Sequence, residues 1–373
     1  MKNRSSKAGF GVAAVWFGSH CGGGFATGTL AASYYVRYGA WAIFMPLIAL
    51  AIMCIVGTIQ WEICRSNKVY DYRSFGNVLY RPHEKLWCTV FEIMFVVDVI
   101  MALGIVYSSA GNLIQGWVSM PYIVAVAIFT VIIVLLTMFG TGFLLKMGTL
   151  LSVVLIGCLI ITSVAGISAG TENLSKIVSN WESSSFGSAL WSAILYASFQ
   201  CACIATTHSL TESLPDRKST IWAGIWGFIL NGSMMMITTI MLLCYYPDCV
   251  TDNLPTFNII SQFNNPLLQV AYSAALFLAL VTTAITCSSS LTARLEKIIG
   301  NRFKSMTACR AFCNAVVMIV GFLVAQFGLL AILNKGYSFI GYICIPLVIL
   351  PTVLIGFKRF KSDGSADITA EKS

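Results

Sequence analysis

The sequence predicts an all-α membrane protein with ten transmembrane helices, and three observations support this fold class. Of the 373 residues, 57% are hydrophobic and only 10% are charged, with a mean hydropathy of +0.81. Soluble domains carry about 25% charged residues. Apolar runs of about 20 residues, enough to cross a bilayer, recur along the chain. Lysine and arginine are distributed unevenly among the segments between them. A soluble enzyme, a disordered chain and a secreted disulfide scaffold are therefore excluded.

Ten apolar runs are long enough to be transmembrane spans, and they leave no room for a separate soluble domain. The predicted spans cover residues 8–36, 40–64, 86–113, 119–139, 144–168, 188–212, 220–246, 267–293, 307–329 and 332–357. The tail at 358–373 is polar, and we predict that it is disordered and cytoplasmic.

The positions of the basic residues predict the orientation of these spans. An even number of spans places both termini on one side of the membrane. That side holds 20 of the 23 lysine and arginine residues, whereas the other side holds only Arg37, Lys176 and Lys335. Cytoplasmic segments carry such an excess, so both termini are predicted to be cytoplasmic, in the inner membrane. The net charge of +8 then reflects topology and contact with anionic lipid, with no nucleic-acid partner.

The ten spans divide into two halves of five, at 1–168 and 188–357, joined by an external loop at 169–187. Because five is odd, the halves have opposite orientations, which is typical of the inverted repeats of secondary transporters. A trace remains in the sequence, since 19–27 and 198–206 share a serine and a final Ala-Thr at a constant offset of 179 residues. We therefore expect the first and sixth spans to be equivalent and both broken at mid-membrane.

Three consecutive glycines, Gly22, Gly23 and Gly24, lie in the first span. Each costs about 1 kcal/mol in a helix relative to alanine, and freed backbone groups in a membrane need partners. One interpretation is an unwound segment whose N–H groups hold a carboxylate and whose carbonyls hold an amine or a cation. The other is close helix packing, because Gly24 and Gly28 form a G-x-x-x-G pair.

The segment Gly22–Gly28 resembles the G-x-G-F-A-[ST]-G signature of YkvI-like membrane proteins. These belong to the amino acid–polyamine–organocation superfamily, so the resemblance implies the LeuT fold over the ten-span layout. The acidic residue that commonly follows the last glycine in that family is replaced here by Thr29-Leu30. A carboxylate role at that position is therefore not carried over.

A more distant similarity, to the neurotransmitter:sodium symporters of the same fold, implies a sodium site. Adjacent hydroxyl residues of their eighth helix bind the ion, and Thr282-Thr283 fits that place. The resemblance implies five ligands, and oxygen donors suit such a hard cation. They are the carbonyls of Gly18, Cys21 and Ala279 and the hydroxyls of Thr282 and Thr283. Alternatively, these hydroxyls bond back to their own helix.

Polar and aromatic residues near the two predicted breaks form the candidate substrate site. Ionisable side chains within spans are functional candidates by default. Asp98 would face a substrate amine or carry a proton, or else form a structural hydrogen bond. His20 would contact substrate, act in gating or be a core histidine. The predicted substrate-binding residues are Ser19, His20, Gly22, Gly23, Gly24, Phe95, Asp98, Ser198, Phe199 and Gln200.

These observations predict a sodium-coupled transporter that takes up a small amino acid or related amine by alternating access. By resemblance, spans one, two, six and seven rock against the others, and the external segment 247–266 is a lid. Two alternatives remain: a proton-coupled transporter or exchanger that uses Asp98 or His20, and a transporter-like sensor. No catalytic cluster, phosphate-binding loop or metal-ligand spacing is present, so we expect neither enzymatic activity nor a cofactor besides the coupling ion. No obligate protein partner is evident.

Overall fold

The computed structural model describes residues 2–20, 23–139, 142–303 and 305–357. The described chain is helical throughout, apart from short connections and one isolated β-bridge between Gly39 and Ser183. We number fourteen helical segments. They are α1 (Lys2–His20), α2 (Gly23–Ala26), α3 (Thr29–Tyr34), α4 (Met45–Asn67), α5 (Tyr72–Leu79), α6 (Glu84–Trp117), α7 (Tyr122–Phe139), α8 (Gly142–Ser179), α9 (Phe186–Cys203), α10 (Arg217–Leu243), α11 (Pro255–Gln262), α12 (Pro266–Ile299), α13 (Met306–Ala325) and α14 (Leu329–Gly356).

Eight helices among the described residues are long and apolar enough to cross a bilayer, so the chain is a multi-pass membrane protein. They correspond to predicted spans two, three and five to ten. The fourth predicted span coincides with α7, whose described apolar part, Tyr122–Leu136, is shorter. The first predicted span contains α1, α2 and α3.

The first span is divided after α2, at Thr27 and Gly28. Gly28 has a φ of +81°, a conformation that glycine adopts without steric cost. The carbonyls freed at this turn find partners within the protein: the Tyr272 hydroxyl donates to Ala26 at 2.7 Å, and the Thr256 amide donates to Thr27 at 3.2 Å. This turn therefore has no free backbone acceptor at Ala26 or Thr27. The predicted break at Gly22 lies outside the described residues.

The sixth span changes its winding without an unwound segment. Helix α9 ends at Cys203, and residues Ile204–Ser213 continue as a 3-10 helix. The hydroxyls of Thr206, Thr207 and Thr211 each donate to the carbonyl three residues earlier. The hydrogen-bond geometry of a 3-10 helix is poorer than that of an α-helix. These side-chain bonds give the backbone carbonyls of the segment additional donors. The predicted mid-membrane break is therefore a 3-10 transition.

The predicted external segments are partly helical. Helix α8 continues into the predicted 169–187 loop as far as Ser179. Asn173 secures this extension, because its side-chain amide donates to the carbonyls of Cys244 and Tyr246 at 3.0 Å each. Within the predicted lid at 247–266, α11 packs on α12, α8 and α3. The predicted lid therefore lies over the C-terminal end of the first predicted span.

Polar bonds join α1, α4, α9 and α10 into one bundle. Glu62 on α4 accepts from Thr220 on α10 at 2.9 Å and forms an ion pair with Arg65 at 2.7 Å. The Trp61 indole on α4 donates to Thr207 beyond α9 at 2.8 Å. These helices contain the predicted second, sixth and seventh spans and the start of the first. We call them the four-helix bundle.

The N-terminal ends of α1 and α10 are tied by the residue that caps α10. The Asp216 carboxylate accepts from the Ser219 amide at 2.7 Å, in a capping box, and from the Ser5 hydroxyl at 2.8 Å. Burial opposes ionisation of Asp216, but these hydrogen bonds outweigh it and hold the pKa of the carboxyl below its ordinary value. The ionised side chain thus secures the start of α1 to the bundle.

Candidate functional site

A cavity of about 330 Å³ lies between the four-helix bundle and helices α6, α12 and α14. This volume is in the range of small-molecule sites. Seven of the ten predicted substrate-binding residues line it: Ser19, His20, Gly24, Phe95, Asp98, Phe199 and Gln200. One predicted sodium ligand, Thr283, lies in the same wall. The structure thus brings most of the predicted site residues to one continuous cavity.

Asp98 is the acidic residue among the side chains that line this cavity. The residue is only 4% exposed, and its Oδ2 accepts a weak hydrogen bond from the Cys203 thiol at 3.6 Å. Oδ1 is buried and has no hydrogen-bond partner among the described residues. A buried carboxylate oxygen without a partner is costly, so Asp98 is suited to a cationic or hydrogen-bond-donating ligand.

Both ring nitrogens of His20 are engaged by the protein. Nδ1 lies 2.7 Å from Oδ1 of Asn231 on α10, and Nε2 lies 2.8 Å from the Tyr196 hydroxyl on α9. Because an amide oxygen only accepts, Nδ1 carries a proton. The imidazole therefore connects α1, α9 and α10 within the bundle, and only its ring face is left for the cavity. This geometry favours the core-histidine interpretation.

The predicted residues of the sixth span divide between the cavity and the helix interior. Gln200 faces the cavity, and its amide lies 3.5 Å from the Tyr196 hydroxyl. Phe199 closes the outer end of the cavity. Ser198, by contrast, is fully buried away from it, and its hydroxyl donates to the Ile194 carbonyl at 2.5 Å. The structure therefore does not bring Ser198 to the cavity, because the helical period turns it to the opposite face.

The glycine segment is described only in part. Cys21 and Gly22 lie outside the described residues, and for Gly23 only the backbone is described, as the first residue of α2. Gly24 lines the cavity, and a Cβ there would meet ordinary contacts at 3.8 and 3.9 Å. A Cβ on Gly28 would lie only 2.3 Å from the Thr256 hydroxyl. Close packing therefore explains why a glycine is needed at position 28. Packing does not require a glycine at position 24, so Gly24 remains a candidate residue of the site.

The hydroxyls of Thr282 and Thr283 both donate to the Ala279 carbonyl, at 2.9 and 2.8 Å. The hydroxyls thus bond back to their own helix, which was the alternative to a sodium site in the sequence analysis. Each hydroxyl oxygen still has lone pairs that can accept a hydrogen bond or bind a cation. Gly18 on α1 is exposed, and nothing lies within 4 Å of where its Cβ would be. The donor set contains only oxygen atoms and so fits a hard cation in its chemistry.

An aromatic layer closes the outer side of the cavity. It consists of Tyr34, Tyr196, Phe199 and Tyr337, with successive ring centroids 4.5–5.6 Å apart. The Tyr34 hydroxyl donates to the Leu333 carbonyl at 3.0 Å, which joins α3 to α14. Beyond the layer, an outer vestibule of about 500 Å³ is lined in part by Tyr34, Arg37 and Lys335. The layer thus separates two cavities along one path through the protein.

The cavity opens toward the end of the bundle that the basic residues predict to be cytoplasmic. Ser19, Thr206 and Thr286 on its wall are exposed, whereas Phe25 and Phe199 at its outer end are buried. In the predicted orientation, this arrangement corresponds to an inward-open state. Several lining residues were not among the predicted site residues: Trp16, Cys203, Thr206, Thr286, Cys287, Ser290 and Tyr337. The helical spacing of Thr283, Thr286, Cys287 and Ser290 was the available signal for those on α12.

Comparisons with solved structures identify the fold. Neither a family model nor a curated relative matches the chain, so the YkvI-like assignment stays a prediction. Inward-facing Mhp1 is 13% identical over 92% of this chain and 76% of its own, with a TM-score of 0.62. Mhp1 in a closed conformation, described as a nucleobase-cation-symport-1 family transporter, gives a lower TM-score of 0.55 at the same identity.

Two further solved structures are similar to the chain in fold. The Eremococcus coleocola manganese transporter is 16% identical over 94% of this chain and 78% of its own, with a TM-score of 0.60. MhsT in complex with L-phenylalanine is 15% identical over 93% of this chain and 95% of its own, with a TM-score of 0.59. At these identities the likeness concerns the fold and leaves the substrate open. The chain is a membrane protein with the LeuT fold.

Proposed function

We propose that the protein is a secondary active transporter of a small amino acid or related amine, coupled to sodium. The observation that carries the proposal is the buried, unpartnered Oδ1 of Asp98 in a closed-ended cavity of substrate size. A substrate ammonium group would compensate the carboxylate, whose burial without a partner is unfavourable. The aromatic walls formed by Phe95, Phe199 and Tyr337 would hold an apolar side chain.

The carboxylate of a substrate amino acid would bind at the first span. In this proposal the backbone at Gly22–Gly24 holds the carboxylate, while Ser19 and Gln200 add hydrogen-bonding groups at the cavity wall. The L-phenylalanine complex of MhsT supports a site for amino acids in this fold, although the manganese transporter shows that the fold does not require one.

Sodium is the proposed coupling ion, and it would be carried as a second substrate. Its oxygen ligands would come from Gly18, Cys21, Ala279, Thr282 and Thr283. Thr283 supports this placement because it lies on the cavity wall, so that an ion there would be close to the substrate. Two ligands that stabilise the same state bind cooperatively, which couples their fluxes.

Alternating access is proposed to occur between the four-helix bundle and the remaining helices. We propose ten spans, with inverted halves at 1–168 and 188–357, both termini cytoplasmic and the protein in the inner membrane. Two features support this motion: polar bonds cross-link the bundle internally, and the cavity lies between the bundle and α6, α12 and α14. Closing the inner end and parting the aromatic layer would expose the same site to the outer vestibule.

The direct test is uptake by sealed proteoliposomes, guided by a thermal-shift screen of amino acids and amines in sodium chloride or choline chloride. Ligand binding to the folded state raises its apparent melting temperature. The proposal predicts a stabilising amine ligand, and its accumulation when sodium is higher outside. Binding without flux would instead support a sensor, and a chemically changed ligand would support an enzyme.

Asp98→Asn tests the role of the carboxylate. The substitution keeps the shape of the side chain but removes its charge, so substrate affinity should fall by roughly tenfold or more, as expected for a buried charged hydrogen bond. The matched control is Glu172→Gln, which removes a fully exposed carboxylate on α8 and should leave uptake unchanged. Normal uptake by Asp98→Asn would show that the carboxylate does not bind the substrate and that its role is structural.

Proton coupling through Asp98 is the second candidate, favoured by the same unpartnered carboxylate oxygen. His20 is less suited to carry the proton, because protein groups engage both of its nitrogens. A pH gradient that drives uptake in choline medium, and fails to do so in Asp98→Asn, would support this alternative. Uptake that requires sodium and is unaffected by a pH gradient would exclude it.

A further inference from the structure

A groove of about 440 Å³ lies beside α6, at the end of the bundle predicted to be cytoplasmic. It runs between the start of α5, the first turns of α6 and the last turns of α12. Three basic side chains line it: Arg73, Arg294 and Lys297. Glu92 is the acidic residue in its lining, so the groove carries a net charge of +2.

Two of these basic residues have no counter-ion among the residues that the structure describes. Arg294 is paired with Glu92 at 2.8 Å. Arg73 and Lys297 are both exposed, and neither forms an ion pair with any described residue. Two unneutralised cations that converge on one concave surface favour an anionic ligand. The hydroxyl of Thr89, in the same wall, can add a neutral hydrogen-bond donor.

The groove is bordered by apolar side chains that point away from the protein. Ile93 on α6 is 61% exposed and Ile298 on α12 is 75% exposed, and both line the groove. In a multi-pass membrane protein, exposed isoleucines at this position lie against acyl chains. A ligand in the groove would therefore have its charged part beside Arg73 and Lys297 and apolar parts beside the isoleucines. This combination is that of a phospholipid with an anionic headgroup.

We propose that the groove between α5, α6 and α12 is a binding site for an anionic phospholipid. The lipid phosphate lies between Arg73 and Lys297, and its acyl chains lie along Ile93 and Ile298. This inference does not depend on what the protein transports.

The groove also has a physical link to the central cavity. The Arg294 guanidinium donates to the Ser290 hydroxyl at 2.7 Å, and its carbon lies 4.9 Å from the centre of the Phe95 ring. Both Ser290 and Phe95 line the central cavity. A phosphate in the groove competes with Glu92 for Arg294, so lipid occupancy alters the charge balance at the inner mouth of the cavity.

Native mass spectrometry of the purified full chain in neutral detergent tests the proposal, with phosphatidylglycerol, phosphatidylcholine or inorganic phosphate as the probe. The double variant Arg73→Gln with Lys297→Gln should bind phosphatidylglycerol roughly thirtyfold more weakly, about fivefold for each cation lost. The matched control is Arg81→Gln with Arg302→Gln, which removes two exposed cations at the same end but outside the groove. We expect the control to bind like the unmodified protein.

Three results would overturn the proposal. The first is equal phosphatidylglycerol affinity in the double variant and the control. The second is equally tight binding of phosphatidylcholine, which would indicate an apolar site. The third is complete displacement of the lipid by excess inorganic phosphate, which would indicate a site for free anions. If the double variant does not fold, Lys297→Gln alone still decides the matter, because a roughly fivefold loss is expected.

Discussion

At the scale of single residues, His20 and Asp98 were both predicted to bind substrate, but the structure gives them different surroundings. Both are ionisable residues in a membrane span, and both line the central cavity. The nitrogens of His20 are engaged by Asn231 and Tyr196, whereas one carboxylate oxygen of Asp98 has no partner among the described residues. The sequence could not distinguish them, because the partners of His20 lie 176 and 211 residues away along the chain.

If His20 is a connecting residue of the bundle, His20→Ala should destabilise the protein. Two buried hydrogen bonds are lost and their partners are left unsatisfied, at a cost of roughly 2–4 kcal/mol. The apparent melting temperature in detergent should fall clearly below that of His83→Ala, in which an exposed imidazole is removed. Unchanged stability, together with a lost pH dependence of transport, would instead make His20 the proton carrier.

The double substitution Thr282→Ala with Thr283→Ala tests the proposed sodium site. If these oxygens ligate the ion, the sodium concentration that gives half-maximal thermal stabilisation should rise by roughly tenfold or more. Thr130→Ala on α7 is the matched control, since its hydroxyl is equally bonded to its own helix, at 2.8 Å from Val126. If both variants respond to sodium like the unmodified protein, Thr282 and Thr283 do not bind the ion and their hydroxyls serve only to bond their own helix.

At the scale of secondary-structure elements, the first span shows where glycine is required. The sequence drew attention to three consecutive glycines, but the described turn lies at Gly28, between α2 and α3. Here the left-handed conformation and the approach of Thr256 both exclude a side chain. The turn also brings Thr29 to the lid, where its hydroxyl donates to the Asn253 carbonyl at 2.7 Å.

Gly28→Ala should therefore destabilise the protein and disturb closure of the lid. A non-glycine residue at this φ costs roughly 1–3 kcal/mol, before the clash with Thr256 is counted. Gly300→Ala is the control, because this glycine has a φ of −54° and open space around its Cβ position. Equal melting temperatures for the two variants would show that the turn at Gly28 relaxes without cost.

At the scale of the whole molecule, the contacts close the central cavity at one end and leave it open at the other, which in the predicted orientation corresponds to an inward-open state. The outer ends of the first span and of α14 are joined by the aromatic layer and the Tyr34–Leu333 hydrogen bond. The central cavity below the layer is open at the other end.

Two native cysteines can report on this state. Among the described residues, only Cys203 and Cys287 are partly exposed cysteines, and both line the central cavity. In intact cells, a membrane-permeant maleimide should label them, whereas an impermeant one should not. Substrate with sodium should slow the labelling. The control is Cys203→Ser with Cys287→Ser, which should lose the substrate-sensitive labelling. Rapid labelling by the impermeant reagent would contradict an inward-open resting state.

The sequence by itself determined the elements and the class of protein. Apolar runs of bilayer length set where eight of the predicted spans lie, because backbone groups in lipid must be paired within helices. It also predicted Asp98, Phe95, Phe199 and Gln200 as site residues, since polar groups within a span are costly unless they are used, and the structure places all four on one cavity. The ten-span count, the inverted repeat and the orientation remain predictions.

Only the tertiary structure decided which of these residues meet, and in what state. The burial of Ser198, the engaged nitrogens of His20 and the polar face of α12 follow from how helices far apart in sequence are rotated against one another. The aromatic layer that closes the cavity joins residues from three separate segments, α3, α9 and α14. Hydropathy fixes the length of a helix in a bilayer, but side-chain packing between helices fixes its rotation, and that rotation forms the cavity.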